Sequence, residues 1–392
     1  MTAPPPTAHS TTPPKQTTDS KAHEKTIPVL VETGEESRFS LGDSKALEYL
    51  AQHGYVVIKS VLDEKNITEA KDLCWKWLEA ETSMRRGKPD TWTDYNFPDG
   101  MSEKGIVWHN SGQSPFAWYV REKAADAFRW VWAEKDLVTS MDGINLFRPQ
   151  LKYITEGSWW HTDQDPVATK DLNRQCVQGF VSLLPANGTT GGLAVIDGSI
   201  KHFDKWHLTY PNGFFRVPRH DRYLHDAVQG GRAKLVTCKA GDLVLWDSRT
   251  IHCNHPRWLS GDAQRGGAGA KPFASEAKSA TPVSQPKSMS SRAEGRDGSE
   301  KGTTTTKERK NSAADSLSSP PAEMLRIVSY VCMIPRKEIT KDVAEARLEA
   351  VAHGFTLGHD PRRAGRLGRR PGRELENCPV EKRLNANQAK LV

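Results

Sequence analysis

Two short stretches of this chain carry residue types able to bind a redox metal. EGSWWHTDQDP (156–166) sets His161 and Asp163 two apart behind a tryptophan pair, and WDSRTIHCNHP (246–256) supplies His252, 91 residues after His161, and His255. Side chains alternate faces along an extended strand, so His161 and Asp163 point the same way if the first stretch is extended. An imidazole beside a carboxylate gives two ligands of a mixed nitrogen–oxygen site. His252, just after the strand-like GDLVLWDS, is the natural third. Two histidines and one carboxylate on one face of an octahedron leave three positions open, the arrangement that non-haem Fe(II) oxygenases use. The bland reading is that an HxD tripeptide is an exposed strand or turn. His255 competes with His252, and Asp165 with Asp163, although Pro166 biases Asp165 toward a turn.

The elements that would position these residues are legible from period and punctuation. GDSKALEYLAQHG reads as a short helix capped by Asp43 or Ser44 and closed by Gly54. YVVIKSV is of strand type. DEKNITEAKDLCWKWLEAE has helical period, with Ile67, Ala70, Cys74, Trp77 and Leu78 on one face. A further helix is expected in AADAFRWVWAEKDLVTS. From about residue 143 the pattern changes to strand-length runs separated by Gly, Asp and Pro: INLFRPQLKYI, VQGFVSLL, GGLAVIDGS, AKLVTCKA, GDLVLWDS and LRIVSYVCMIP. In GGLAVIDGSIKHF, Gly191 and Gly192 are expected to permit close packing. DVAEARLEAVAHG is helix-like. The expected class is mainly β with flanking helices, as a β-barrel or double-sheet jelly roll.

Composition bounds the partners. Of 392 residues 36% are apolar, and mean hydropathy is −0.64. So low an average points to an ordered core diluted by polar segments. Residues 1–25 are rich in Pro, Thr and Ser and are expected to be disordered. So is 258–322, which offers almost nothing to bury; retained non-coding sequence would look the same. The net charge of +7 draws largely on that segment and on the arginine-rich 359–392. That tail is read as a solvated charge run, and nucleic-acid contact by it is not expected. The six cysteines form no CxxC pair, which argues against a zinc knuckle or a disulfide framework and for a reducing compartment. No secretory leader and no membrane span are expected. An intracellular, cytoplasmic monomer acting on a small molecule follows as the expectation.

Five blocks then match a known pattern in order: LAQHGYVVIKSVLDEKNITEAKDLCWKWLE, RPQLKYITEGSWWHTDQDP, QGFVSLLPANGTTGGLAVIDGSIKHF, AGDLVLWDSRTIHCNHP and LRIVSYVCMIPR. Together they resemble the phytanoyl-CoA dioxygenase-like family of Fe(II)/2-oxoglutarate oxygenases, nearest its fungal and algal branch. The resemblance implies a double-stranded β-helix (jelly roll, cupin-like) over 26–257 together with 323–358. It implies Fe(II) held by His161, Asp163 and His252, with O2 and 2-oxoglutarate as cosubstrates. It also implies hydroxylation of a small-molecule or lipid-derived substrate, with loss of CO2 from 2-oxoglutarate to give succinate. An arginine is needed for the far carboxylate, because a planar guanidinium can hold it through two parallel hydrogen bonds. Arg326 matches that place by context. It lies 74 residues beyond His252, and setting aside 258–322 leaves nine, close to the family pattern. Arg249, Arg257 and Arg148 are the alternatives. Gln178 and Lys152 are candidates for cosubstrate hydrogen bonds, and Trp160, His109 and Asn110 for the substrate side. The alternative function is a catalytically degenerate barrel of the same fold that binds a ligand without turnover.

Overall fold

The computed structural model describes residues 30–167, 176–205, 215–218, 221–259, 322–368 and 383–392. The expectations for 1–25, for 260–321 of the low-complexity segment and for 369–382 of the basic tail lie outside them.

Two facing β-sheets form the centre. The smaller orders β1 (Val31–Glu32), β12 (Ala233–Val236), β10 (Gly192–Ile196), β14 (His252–His255), β8 (His161–Thr162) and β11 (Phe215–Arg216). The larger orders β2 (Arg38–Phe39), β3 (Tyr55–Ile58), β13 (Leu243–Asp247), β9 (Val177–Ser182), β15 (Arg326–Pro335), β7 (Ile144–Phe147), β5 (Ile106–Val107) and β4 (Gly100–Met101), with β6 (Leu137–Thr139) also on β15. Every strand-length run read from the sequence contributes a strand here. The result is the expected mainly β jelly-roll core with flanking helices.

Strand alternation sorts the apolar residues into three layers. Tyr55, Val57, Phe180, Val244, Trp246 and Val328 of the larger sheet meet Leu193, Val195 and Val236 of the smaller one between the sheets. Their strand neighbours Val56, Ile58, Val181, Leu245 and Ile327 turn outward onto the helices. Ala194, Ile196, Leu235 and Cys253 form the outer face of the smaller sheet, under Leu224 and Ala227 of α4 (Arg222–Gln229). Burying each large side chain contributes about 1.5–3 kcal/mol, so a one-residue slip of any central strand would sacrifice two layers at once.

The helices follow their caps. Asp43 caps α1 (Ser44–His53), accepting from Lys45 N–H, and Gly54 ends it at φ 87°. A side chain at 54 would meet Thr250 Oγ1 at 2.3 Å, so glycine also lets this turn approach the strand that leads to His252. Asp63 caps α2 (Glu64–Glu81), whose buried side comprises Ala70, Cys74, Trp75, Trp77 and Leu78. The third helix departs from expectation. α3 runs Pro115–Trp132, opened by the Ser114 cap and Pro115, and residues 137–139 are a strand rather than its continuation. Ser-Pro is a helix-start signal, and the β-branched Val138 and Thr139 suit a ladder better than a helix. α5 (Lys341–His353) matches the expected helix, and the short α6 (Ala386–Ala389) precedes Leu391 and Val392, which are buried in the helical layer.

Candidate metal centre

His161 and His252 stand opposite each other on adjacent antiparallel strands of the smaller sheet, β8 and β14. Their rings are 4.3 Å apart between centroids. Asp163, just past β8, lies between them: Oδ1 is 3.3 Å from His161 Nε2 and Oδ2 is 3.1 Å from His252 Nε2. One ligand atom from each residue falls within 4.8 Å of the others, and this is the one such group of three among the described residues.

The backbone sets which nitrogen faces the centre. His252 Nδ1–H donates to the Thr250 carbonyl (2.9 Å), and His161 Nδ1–H to the Trp159 carbonyl (3.3 Å). A carbonyl only accepts, so both rings carry a proton on Nδ1 and turn Nε2, the nitrogen a metal would take, toward Asp163. Thr250 is itself held, its hydroxyl donating to the Gly54 carbonyl at 2.8 Å. The Asp163 backbone is tied down too, its N–H donating to the Ser248 carbonyl (3.1 Å).

Charge fits a divalent cation. Burial would raise the Asp163 carboxyl, but the imidazoles of His252, His359 and His161 hold it well below the ordinary carboxylate value. Burial, followed by the neighbouring His252, lowers His161. The centre therefore favours an ionised carboxylate and weakens the hold of His161 on its proton, and both directions favour binding a metal cation. Two imidazoles and a carboxylate are a donor set suited to iron.

The candidate for the cosubstrate, Arg326, is the first residue of β15. It is 2% exposed, and Nε, Nη1 and Nη2 are all buried without a hydrogen-bond partner. Its guanidinium lies over the rings of Phe180 (4.3 Å) and Phe147 (5.3 Å), with Nη1 facing Gly192 of the opposite sheet. Burial lowers its affinity for the proton, only partly offset by Tyr330 and Cys238. A buried cation with three idle nitrogens calls for an anion, and a carboxylate matches its fork. The other arginines are engaged. Arg249 forms a two-point pair with Asp247 (2.9 and 3.0 Å), Arg148 pairs with Asp94 (2.6 Å), and Arg257 donates to the Pro149 carbonyl (3.0 Å).

The remaining candidates spread out. Gln178 faces inward from β9 and donates to Asp163 Oδ2, placing it behind a candidate ligand. Lys152 is exposed, its ammonium over Tyr153 at 4.7 Å. His109 and Asn110 bind Glu81 at the end of α2 (3.1 and 3.2 Å), and Asn110 also accepts from Trp77 Nε1 (3.0 Å), so their polar atoms serve the helical layer. Trp160, expected on the substrate side, packs instead in the outer cluster with Phe215 and Leu224. Its neighbour Trp159 stacks on His161, 4.7 Å between centroids and 16° from parallel, because adjacent residues of an extended chain face opposite ways. His255, on the other strand face from His252, donates through Nδ1 to the Pro256 carbonyl (2.8 Å). Asp165 closes a turn, accepting from Val167 N–H (2.8 Å).

Alternation also brings in residues not singled out in the sequence. Asn254 lies two beyond His252 and Tyr330 four beyond Arg326, and their side chains interact. Asn145 on β7 and Asn254 both donate to the Lys104 carbonyl (3.0 and 3.3 Å), and the Lys104 ammonium sits 4.8 Å from the Trp159 ring. This edge of the space between the sheets is polar, whereas the Tyr55–Val57 end is apolar.

A model of the family described as Phytanoyl-CoA dioxygenase (PhyH) matches residues 50–257, more than half of the chain. The Ava biosynthesis cluster protein O of Aspergillus versicolor is 27% identical over 230 residues, 55% of this chain and 72% of that protein. Among solved structures, EctD from S. alaskensis with bound Fe is 15% identical at a TM-score of 0.40, covering 59% of this chain and 76% of that one. The epimerase SnoN in complex with Fe3+, alpha ketoglutarate and nogalamycin RO is 18% identical at a TM-score of 0.39, covering 59% and 94%.

Proposed function

Because the chain belongs to the phytanoyl-CoA dioxygenase family, we propose that this non-haem iron, 2-oxoglutarate-dependent oxygenase hydroxylates a small-molecule or lipid-derived substrate, with His161, Asp163 and His252 holding the iron and Arg326 the cosubstrate. The observation that carries the reading is the pairing of a convergent His–Asp–His group with a buried, unpartnered guanidinium between the same two sheets. When bound, iron and 2-oxoglutarate supply the oxidation: O2 is consumed, 2-oxoglutarate becomes succinate and CO2, and one oxygen atom enters a substrate C–H bond.

The chain's own part is binding, orientation and exclusion of water. His161 and His252 present Nε2 because their Nδ1 protons are committed to backbone carbonyls. Gln178 steadies one oxygen of Asp163. Arg326 would grip the distal carboxylate of 2-oxoglutarate, with Phe147 and Phe180 keeping water from the ion pair and so strengthening it. Trp159 covers the outer side of His161. The ligand set is complete, so nothing in it favours the degenerate barrel. No helix among the described residues is long and apolar enough to cross a membrane.

The test is aerobic turnover. Purified protein with Fe(II), 2-oxoglutarate and fractionated metabolite extracts should release succinate in step with a product one oxygen atom heavier than its precursor. Succinate release that persists unchanged in His161→Ala, or no release with any fraction, would tell against the assignment.

A further inference from the structure

One buried indole on the inner face of the larger sheet is left without a hydrogen bond. Elsewhere in the molecule the indole N–H finds an oxygen. Trp77 donates to Asn110 and Trp118 to Gln113 (3.0 Å each), Trp92 to the Arg85 carbonyl (2.8 Å), Trp132 to the Met333 carbonyl (2.7 Å) and Trp159 to the Glu156 carbonyl (3.3 Å). Trp246 is 3% exposed, and its Nε1 is buried without a partner among the described residues. An N–H taken out of water and left unpaired is destabilising and asks for an explanation. Trp75 is the other such indole among the described residues, and it lies in the helical layer beside Trp92, 5.4 Å between ring centroids.

Its place in the fold singles Trp246 out. Alternation along β13 sends Leu243 and Leu245 into the helical layer and turns Val244 and Trp246 between the sheets. The Trp246 ring centroid is 5.3 Å from that of His252 and 6.0 Å from that of Phe180. On Phe180 lies the Arg326 guanidinium, at 4.3 Å. Trp246 therefore bridges the ring of a candidate metal ligand and the ring that carries the candidate cosubstrate arginine. Its partners across the strands, Tyr55 and Gln178, are engaged, Tyr55 with the Tyr49 hydroxyl (3.1 Å) and Gln178 as a donor to Asp163. A ligand reaching from the metal group to Arg326 has to pass these rings. Two idle donor groups lie along that course, the indole N–H and the guanidinium.

We propose that the Trp246 indole N–H donates a hydrogen bond to 2-oxoglutarate, completing with Arg326 the set of donors that holds the cosubstrate beside the metal. The inference rests on the reading of His161, Asp163 and His252 as the iron ligands and of Arg326 as the carboxylate partner. Two carboxylates and a ketone offer only acceptors near neutral pH, which matches an indole nitrogen that donates and cannot accept. Trp246 is thus a cosubstrate-binding residue rather than a metal ligand. Phenylalanine in its place keeps an aromatic ring between His252 and Phe180 and removes the donor.

The experiment follows the indole itself. Full-length protein with isotope-labelled tryptophan is loaded with Zn(II), a diamagnetic stand-in for iron, and the Trp246 indole signal is identified by its loss in Trp246→Phe. Adding 2-oxoglutarate should move that proton downfield, as hydrogen bonding does, and leave the Trp75 indole in place. By calorimetry on the Mn(II)-loaded protein, Trp246→Phe should weaken 2-oxoglutarate binding at least tenfold while the affinity for Mn(II) alone stays within twofold. A Trp246 signal unmoved by saturating 2-oxoglutarate, or equal 2-oxoglutarate affinity in parent and variant, overturns the inference and leaves the iron reading standing. A parallel loss of Mn(II) affinity assigns the ring to the support of His252 and overturns it as well. A parent protein that binds neither Mn(II) nor 2-oxoglutarate brings down the iron reading and the inference with it. Should the phenylalanine variant fail to fold, the Trp246 signal assigned through its backbone in the parent protein carries the same test.

Discussion

Replacing Arg326 with methionine should move stability in opposite directions with and without 2-oxoglutarate. In the protein alone, the guanidinium is 2% exposed and none of its nitrogens finds a partner. Leaving a buried polar group unpaired costs about 1–3 kcal/mol, and more when it is charged. The rings of Phe147 and Phe180 return part of this, about 0.5–2 kcal/mol for a cation over an aromatic face. Methionine fills a similar volume without a charge, so Arg326→Met should stabilise the ligand-free protein by about 1 kcal/mol or more after the ring contribution is subtracted. With Mn(II) and 2-oxoglutarate at a hundred times its dissociation constant, the parent protein gains about 2.7 kcal/mol by linkage. The variant, lacking the carboxylate partner, gains far less, and the order of stability inverts. Thermal unfolding followed by fluorescence reads both arms, since each kcal/mol shifts Tm by about 2–4 °C in a domain of 150–250 residues. Two results would refute the reasoning: a ligand-free variant less stable than the parent, or an equal rise in Tm with 2-oxoglutarate in both proteins.

Three further outcomes follow from neighbours of the centre. Gln178→Leu removes the donor behind Asp163 and should weaken Mn(II) binding about 10–100-fold, the usual effect of losing a partner of a metal ligand; titration calorimetry checks this. Trp159→Ala keeps the carbonyl that orients His161 but loses the stacked ring, worth about 0.5–1.5 kcal/mol, so the loss of affinity should stay near or below tenfold in the same assay. The Asp142 carboxyl is raised by burial above its ordinary value of 3.8, so its contribution to stability is present below that pH and is lost as pH rises through the raised value. Asp142→Asn should therefore raise the Tm of the metal-free protein at pH 7, with the gain shrinking as the pH falls below about 4; scans at both pH values would show it.

Much of the architecture was legible because its period was. The six strand runs, the capped helices α1 and α2 and the HxD-to-His order all follow from alternation, helical period and cap chemistry. The same rule of two reaches further. Trp159, Asn254 and Tyr330 lie two, two and four residues from His161, His252 and Arg326, and all three border the centre. Trp160 adjoins His161 in sequence, which in an extended chain means the opposite face. His109 and Asn110 looked available because their type suits a pocket, but Glu81 and Trp77 of α2 already use them, a tertiary pairing that local sequence does not encode. The start of α3 was written in Ser114–Pro115, whereas its end was obscured by the helix-compatible EKD before β6. The course of residues 357–362 depends on contacts with Met141 and Cys176, each about two hundred residues away in sequence, and no local pattern announces it.

In the proposed centre, three side chains at two neighbouring strands hold one iron atom that 2-oxoglutarate can join. Mixing the protein anaerobically with Fe(II) and 2-oxoglutarate tests it most directly, because the chelated cosubstrate gives a weak visible charge-transfer band. The band should saturate at one iron per chain, be lost in His161→Ala and His252→Ala, and survive in His255→Ala. A band that persists in His252→Ala, or disappears only in His255→Ala, would contradict that centre.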